Sequence, residues 1–296
     1  MDDFTVVDFT NTLRFDDILN DDVNVRKKLY KRIDNINLDN AHEDLPIVKM
    51  KCSKYCVIDI SVWSRKGISK EWLWKLLKLS AIELKDVLNP KKNQVLQEVI
   101  GDIKYGLVSN SLARLIPLLD KLSKEITVEP YIINFDGSAA SGKSTLAGYL
   151  AEITKSSLIH MDDFYLPNNL RTDERFMVAG GNIHYERFKE EVVDFLRNGH
   201  DFIYLKFDCS IMDYSEEIRV SATPIIIVEG SYSNHPYFGD YPDLKVFCNV
   251  GKTEQIKRIE LRNGIEKLKV FLDKWIPLEN HYLQVYKIKE NCHIVL

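Results

Sequence analysis

No apolar run in this 296-residue chain approaches the ~18 residues that a membrane-crossing helix needs, so no transmembrane anchor is expected. Positive charge is not in surplus. The 40 Lys and Arg residues stand against 44 Asp and Glu, a net charge of −4, whereas surfaces that cover nucleic-acid phosphates usually make their domain basic. Neither nucleic acid nor membrane is therefore an expected partner. Cysteine is sparse. The five thiols are odd in number and scattered, unlike a secreted disulfide framework, and are expected to be buried in a reducing compartment. Cys52 and Cys56 have no second Cys or His pair at zinc-ligand spacing, while structural zinc takes four ligands. They are expected to be half-buried strand residues. Internal repeats and low-complexity segments are also missing, and the opening Met1-Asp2-Asp3-Phe4 is acidic where a secretory signal is basic. The expected location is the cytoplasm.

What is present is the composition of a folded chain, with 45% hydrophobic and 28% charged residues. Single cores stop growing near ~250–300 residues, so two domains are expected, 1–128 and 129–296, with the boundary near Pro130. In the first, Ser69 is placed to cap a helix with Leu73, Leu76, Leu77, Leu84, Val87 and Leu88 on one face, ended by Asn89 and Pro90. A second helix over 111–126 carries Leu112, Leu115, Ile116, Leu119 and Leu122 on one side, with a kink at Pro117. Residues 54–63 read as a strand from their β-branched and aromatic content. The first domain is thus expected to be mixed and mainly helical, without recognisable chemistry. Trp63, Trp72 and Trp74 read as core or interface aromatics rather than a binding platform.

Beyond Pro130 the pattern changes. Apolar runs of strand length at 131–135, 157–161, 224–229, 243–249 and 292–296 alternate with helical stretches at 143–154, 185–198 and 253–263. That alternation predicts an α/β architecture, a parallel sheet covered by helices on both faces. Residues 201–207 and 216–220 add a small hairpin.

The strongest chemical signal lies between the first of these strands and the first helix. Gly137, Ser138, Ala139, Ala140, Ser141, Gly142, Lys143, Ser144 and Thr145 satisfy G-x-x-x-x-G-K-[ST], in the strand–loop–helix context the motif requires. The glycines let successive backbone N–H groups face phosphates, and the helix N-terminus adds partial positive charge. Lys143 is placed for the β- and γ-phosphates, the Ser144 hydroxyl for Mg²⁺, and Thr145 for the α-phosphate. A nucleoside triphosphate is the expected ligand.

Three further segments bear on what the triphosphate is for. The run ending at Asp162 and Asp163 puts carboxylates at the carboxyl edge of a parallel sheet, where open α/β proteins bind ligands. Alternation along a strand admits only one of them to the cleft. An aspartate there serves as a base for an attacking hydroxyl, or simply caps the turn before Phe164. The run from Pro224 ends in Glu229, in the place of a Walker-B-type acid that holds a Mg²⁺ water. Arg258 and Arg262 share one helix face, either to close over the triphosphate or, for Arg258, to pair with Glu254 on a solvated surface.

Taken together, Phe135-Asp136-Gly137 with the loop, Met161-Asp162-Asp163-Phe164-Tyr165, Val228-Glu229-Gly230, and Arg258 with Arg262 resemble the uridine kinase, phosphoribulokinase and pantothenate kinase group of P-loop kinases. The resemblance covers about 131–296. It implies a P-loop NTPase fold, a five-stranded parallel core in nucleoside monophosphate kinase order, with Mg-ATP as donor and a small-molecule hydroxyl as acceptor. By the same resemblance Asp162 is the catalytic base, supported by Lys143, Arg258 and Arg262, with Ser144 and Glu229 at the metal. The acceptor side comprises Asp163, Tyr165, Arg171, His184 and Asp208. Here the chain departs from nucleoside kinases: His184 stands where they carry a sugar-contacting aspartate, and Phe207-Asp208-Cys209 has no base-contacting His soon after. Arg171 and Arg175 read as contacts to an anionic acceptor or as solvated loop cations. An ATP- and Mg-dependent small-metabolite kinase is expected. The rival is a nucleotide-dependent switch with the N-terminal domain as output, and a homo-oligomer is compatible with either.

Overall fold

The protein's structure, a computed structural model, describes residues 6–7, 47–50, 55–59, 63, 65–83 and 105–296. The chain divides into two units, Met1–Glu125 and Ile126–Leu296.

In the first unit, β1 (Val6–Val7), β2 (Ile47–Met50), β3 (Tyr55–Asp59) and β4 (Tyr105–Ser109) form a sheet in that order, with β1 and β2 parallel and the other pairs antiparallel. Among the described residues of this unit are three helices, α1 (Lys70–Glu83), α2 (Asn110–Ala113) and α3 (Ile116–Glu125). Leu73 and Leu76 are buried on α1, as are Leu112, Leu115, Ile116, Leu119 and Leu122 further on. The kink expected at Pro117 is instead a helix start. Proline is tolerated in a first turn because its missing N–H would find no intrahelical partner there, so the chain breaks before Ile116. The Ser109 hydroxyl accepts from the Leu112 N–H at 3.3 Å and so caps α2, while the Ser109 N–H donates to Ser80 Oγ at 2.6 Å. Trp63 is fully buried but Trp74 is 47% exposed, so only the former is a core aromatic. Residues 54–63 do not form one strand, since Trp63 lies in a helical turn after β3. Cys56 lies on β3. Cys52, Leu84, Val87, Leu88, Asn89 and Pro90 lie outside the described residues.

The second unit runs β5 (Tyr131–Gly137), α4 (Lys143–Thr154), β6 (Ser157–His160), α5 (Asp173–Met177), α6 (Tyr185–Phe188), β7 (Phe202–Asp208), β8 (Asp213–Val220), β9 (Ile225–Glu229), β10 (Leu244–Cys248), α7 (Lys252–Val270), α8 (Ile276–Val285) and β11 (Ile294–Val295). Five strands make a wholly parallel sheet in the order β6-β9-β5-β10-β11. Every residue of β5 and β9 is buried, as central strands covered on both faces must be. One cover is α4, whose Leu146, Ala147, Leu150 and Ile153 recur at helical spacing and pack against the central strands. The other face carries Ile132, Ile226, Val228 and Phe247 against Phe164, Phe188, Tyr204 and Tyr282. β7 and β8 form the hairpin read from the sequence, antiparallel, with an irregularity between Lys206 and Phe207.

Two helices differ from expectation. The stretch over 185–198 is α-helical only to Phe188 and then widens into a π-turn, Lys189–Val193. Its buried residues Phe188, Val192 and Leu196 are spaced by four, which would drift around a 3.6-residue helix but stays aligned on a wider one. The helix begun at Lys252 continues to Val270, and Gly264, at φ 80 and ψ 166, breaks its regular geometry one residue past the expected end. The thiols also differ: Cys248 is buried and Cys292 half-buried, but Cys209 is exposed, because it sits in the β7–β8 turn rather than on a strand. Among the described residues no helix is long and apolar enough to cross a membrane.

The parallel register aligns the carboxyl ends of three strands, since Glu229 pairs with Phe135 on one side and His160 on the other. Gly137 closes this edge at φ 132, and a Cβ there would lie 2.2 Å from the Cys248 carbonyl oxygen. Gly137→Ala is therefore expected to destabilise the second unit by about 3 kcal/mol or more, read from the urea midpoint at unchanged m-value.

Candidate functional site

The loop after β5 is shaped by its backbone. Ala140 (φ 56) and Gly142 (φ 93) are left-handed while their neighbours are not, an alternation that turns successive N–H groups to one side as an anion-binding concavity. Lys143 opens α4, is nearly buried, and donates from Nζ to the Gly137 and Ser138 carbonyls at 2.9 and 3.0 Å. The Ser141 hydroxyl is buried within the loop with no hydrogen-bond partner. Ser144 Oγ donates to Glu229 Oε2 at 2.9 Å, across 85 residues of sequence. The other Glu229 oxygen meets His160 Nδ1 at 2.6 Å, and this hydrogen bond raises the His160 pKa.

Behind the loop lies a buried carboxylate that sequence reading gave no role. Asp136 accepts from the N–H groups of Gly137 (2.7 Å), Tyr232 (3.2 Å) and Asn234 (3.0 Å) and from the Tyr282 hydroxyl (2.7 Å). Burial raises its pKa while these bonds oppose the shift. Glu279, on α8, is equally buried. Its Oε2 accepts from the Ala139 N–H at 2.7 Å, and its Oε1 contacts the Ser231 hydroxyl. Burial raises the Glu279 pKa as well. Glu279 lies on a helix outside any motif, which is why local pattern missed it.

A cavity of about 670 Å³ opens over the loop. Ala139, Ala140, Gly142, Lys143, Ser144 and Thr145 line it, joined by Asp162, Tyr165, Arg171, Glu229, Arg258 and Arg262 from the predicted site and by Asn182, Cys209, Tyr232, Lys267, Trp275 and Glu279 among those not predicted. Gly137, Ser138 and Ser141 stand behind this wall. Asp162 accepts from the Tyr165 hydroxyl at 3.0 Å, and desolvation raises its pKa, with the Glu229 charge adding to the shift. β6 stops at His160, and a 3₁₀ turn over Met161–Phe164 separates the two acids. Asp163 therefore points inward, accepts from Tyr204 at 2.7 Å and is absent from the cavity wall. His184 and Asp208 are also absent from it. His184 Nδ1 contacts the Tyr214 hydroxyl at 2.9 Å, and Asp208 accepts from the Ser210 N–H in the hairpin turn.

The arginines divide by what they have left to donate. Arg175 is spent on the Gly181 and Ile183 carbonyls, both oxygens of Glu186, and the face of Tyr185 at 3.8 Å. Arg171 gives Nε to the Leu166 carbonyl at 2.7 Å and otherwise faces the cavity. Arg258 pairs through Nε with Glu254 at 2.8 Å, as the solvated-surface reading had it, while its Nη1 reaches the Ala140 carbonyl of the loop at 3.2 Å. Arg262 bonds Asn263 at 2.8 Å.

Among the described residues no three His, Cys, Asp or Glu side chains cluster as a ready metal cage. Mg²⁺ does not need one, because it commonly takes one or two protein oxygens together with substrate phosphates and water. The juxtaposed Ser144 hydroxyl and Glu229 carboxylate suit that binding, and the left-handed loop with Lys143 suits a polyphosphate.

The sheet order, the loop and the strand-end acids are those of a P-loop kinase fold. No family model matches the chain. Uridine kinase-like protein 4 of Arabidopsis thaliana is 30% identical over 155 residues, covering 48% of this chain and 33% of that protein. A pantothenate kinase of Streptococcus suis is 30% identical over 150 residues, covering 43% of this chain and 47% of its own. The chain thus spans between a third and a half of these curated relatives. The structure of a possible uridine kinase from Bacillus stearothermophilus superposes with a TM-score of 0.50 at 18% identity, over 62% of this chain and 97% of that one. The resemblance to uridine kinase-like proteins is therefore shared by sequence and fold, and that to pantothenate kinase lies in the sequence.

Asp136 gives one direct test of the site's framework. Tyr282→Phe removes one of its four donors and is expected to lower stability by about 1.5–3 kcal/mol in urea unfolding.

Proposed function

We propose that this chain is a phosphotransferase that moves the γ-phosphate of ATP to a hydroxyl of a small metabolite. The observation that supports this most directly is that Asp162, the Ser144–Glu229 pair and the phosphate loop all open onto one cavity. In this reading the loop N–H groups and Lys143 hold the β- and γ-phosphates. Ser144 and Glu229 would hold Mg²⁺, which when bound draws charge from the phosphate oxygens. Asp162 lies within reach of the cavity, oriented by the Tyr165 hydroxyl, and takes the proton of the attacking hydroxyl. Arg258 and Arg262 offset charge on the transferring group. Tyr165 and Arg171 contact the acceptor. Asp163, His184 and Asp208 carry no role in this assignment, since they do not line the cavity.

Asp162→Ala is expected to lower metabolite-stimulated ADP release about 10²- to 10⁴-fold with Mg-ATP affinity retained in calorimetry. Retained turnover would remove Asp162 from the role. Nucleotide binding without turnover on any of a broad hydroxyl-bearing metabolite panel would instead support a nucleotide switch.

The base works ionised. Because desolvation lifts Asp162 above an ordinary aspartate's 3.8, the acid limb of kcat should lie above the usual aspartate range, with activity rising as pH rises through it. Asp162→Glu, if active, should move that limb, whereas a limb unchanged in position would assign it to another group.

A further inference from the structure

The contacts of Glu279 raise a question of protons. Ser231 Oγ lies 3.0 Å from the Gly137 carbonyl oxygen and also contacts Glu279 Oε1. A serine hydroxyl has one hydrogen, and a carbonyl oxygen only accepts. If Glu279 were ionised, Ser231 would face two acceptors with one proton, leaving one contact as lone pair against lone pair. A proton on Glu279 Oε1 satisfies the whole chain, with Glu279 donating to Ser231, Ser231 donating to Gly137, and Glu279 Oε2 accepting from the Ala139 N–H.

We infer that Glu279 is a positioning residue of the phosphate loop that acts as a neutral carboxylic acid. It ties Ala139 and, through Ser231, Gly137 to helix α8 without placing a negative charge where a triphosphate must sit. On the other side of the same residue, Gln255 on α7 donates to the Ala139 carbonyl at 3.1 Å, so both polar groups of Ala139 are fixed by side chains from the C-terminal helices. The charged and titratable groups that face Glu279 are Lys143 of α4, Asp136 of β5, Tyr165 beyond β6 and Tyr232 beyond β9. Lys143 favours the ionised form and Asp136 the neutral one. Burial, the largest influence, acts in the same direction as the proton count.

The inference rests on the loop being a nucleotide site only in its binding arm. In wild-type protein, Mg-ATP affinity by calorimetry is expected to fall as pH rises through the titration of Glu279, by up to ~10-fold per pH unit. Glu279→Gln keeps an acceptor for Ala139 and a donor for Ser231, so it should rescue the wild-type low-pH affinity and remove that part of the pH dependence. Glu279→Ala should bind more weakly at every pH. Glu279→Gln as weak as Glu279→Ala throughout would overturn the idea. The second arm needs neither nucleotide nor the alanine variant. The infrared difference between wild type and Glu279→Gln at neutral pH should show the C=O band of a protonated carboxyl, and loss of ionised carboxylate bands instead would refute the assignment. Wild-type protein that bound no Mg-ATP would count against the nucleotide reading, while the infrared result would still decide the proton.

Discussion

The organisation of the second unit depends on one buried carboxylate. Asp136 sits at the end of the central strand β5, with no solvent to stabilise it, and is held by four donors from three places: its own next residue, the segment after β9, and α8. A buried charge or carboxyl without such partners costs several kcal/mol, so these contacts must form together. Forming them fixes the start of the phosphate loop at Gly137, sets the turn through Gly230 to Asn234, and docks the helix that carries Glu279. The cavity wall follows from that arrangement.

Where function resides in short local patterns, the sequence was readable. The loop 137–145 is a contiguous motif whose glycines, lysine and hydroxyls suit one anion, and the five strands announced themselves as apolar runs. The strand order was not in the composition or the periodicity. It came from the resemblance, and the parallel register of Phe135, Glu229 and His160 agrees with it. Alternation admitted one acid of the pair without saying which, and the resemblance made Asp162 the base yet kept Asp163 on the acceptor side, whereas a 3₁₀ turn puts only Asp162 on the cavity wall.

What was missed has a common cause. Glu279, Ser231 and the role of Asp136 depend on contacts between residues far apart in the chain, and no local spacing encodes them. Similarly, Arg175 and Arg171 look alike in sequence. Only the folded segment shows that the first is consumed by Glu186 and two carbonyls while the second faces the cavity. His160, passed over as a strand residue, touches the same carboxylate as Ser144 because β6 and β9 are neighbours.

The contact between Ala139 and Glu279 spans 140 residues, and that between Asp136 and Tyr282 spans 146. Synthesis proceeds from the N-terminus at roughly 5–20 residues per second, so the glycine-rich loop leaves the ribosome many seconds before the helix that fixes it. Through that interval the loop has Lys143 but not the partners that α8 brings. The contacts of Ala139 and Asp136 to α8 can close only after that helix has been made.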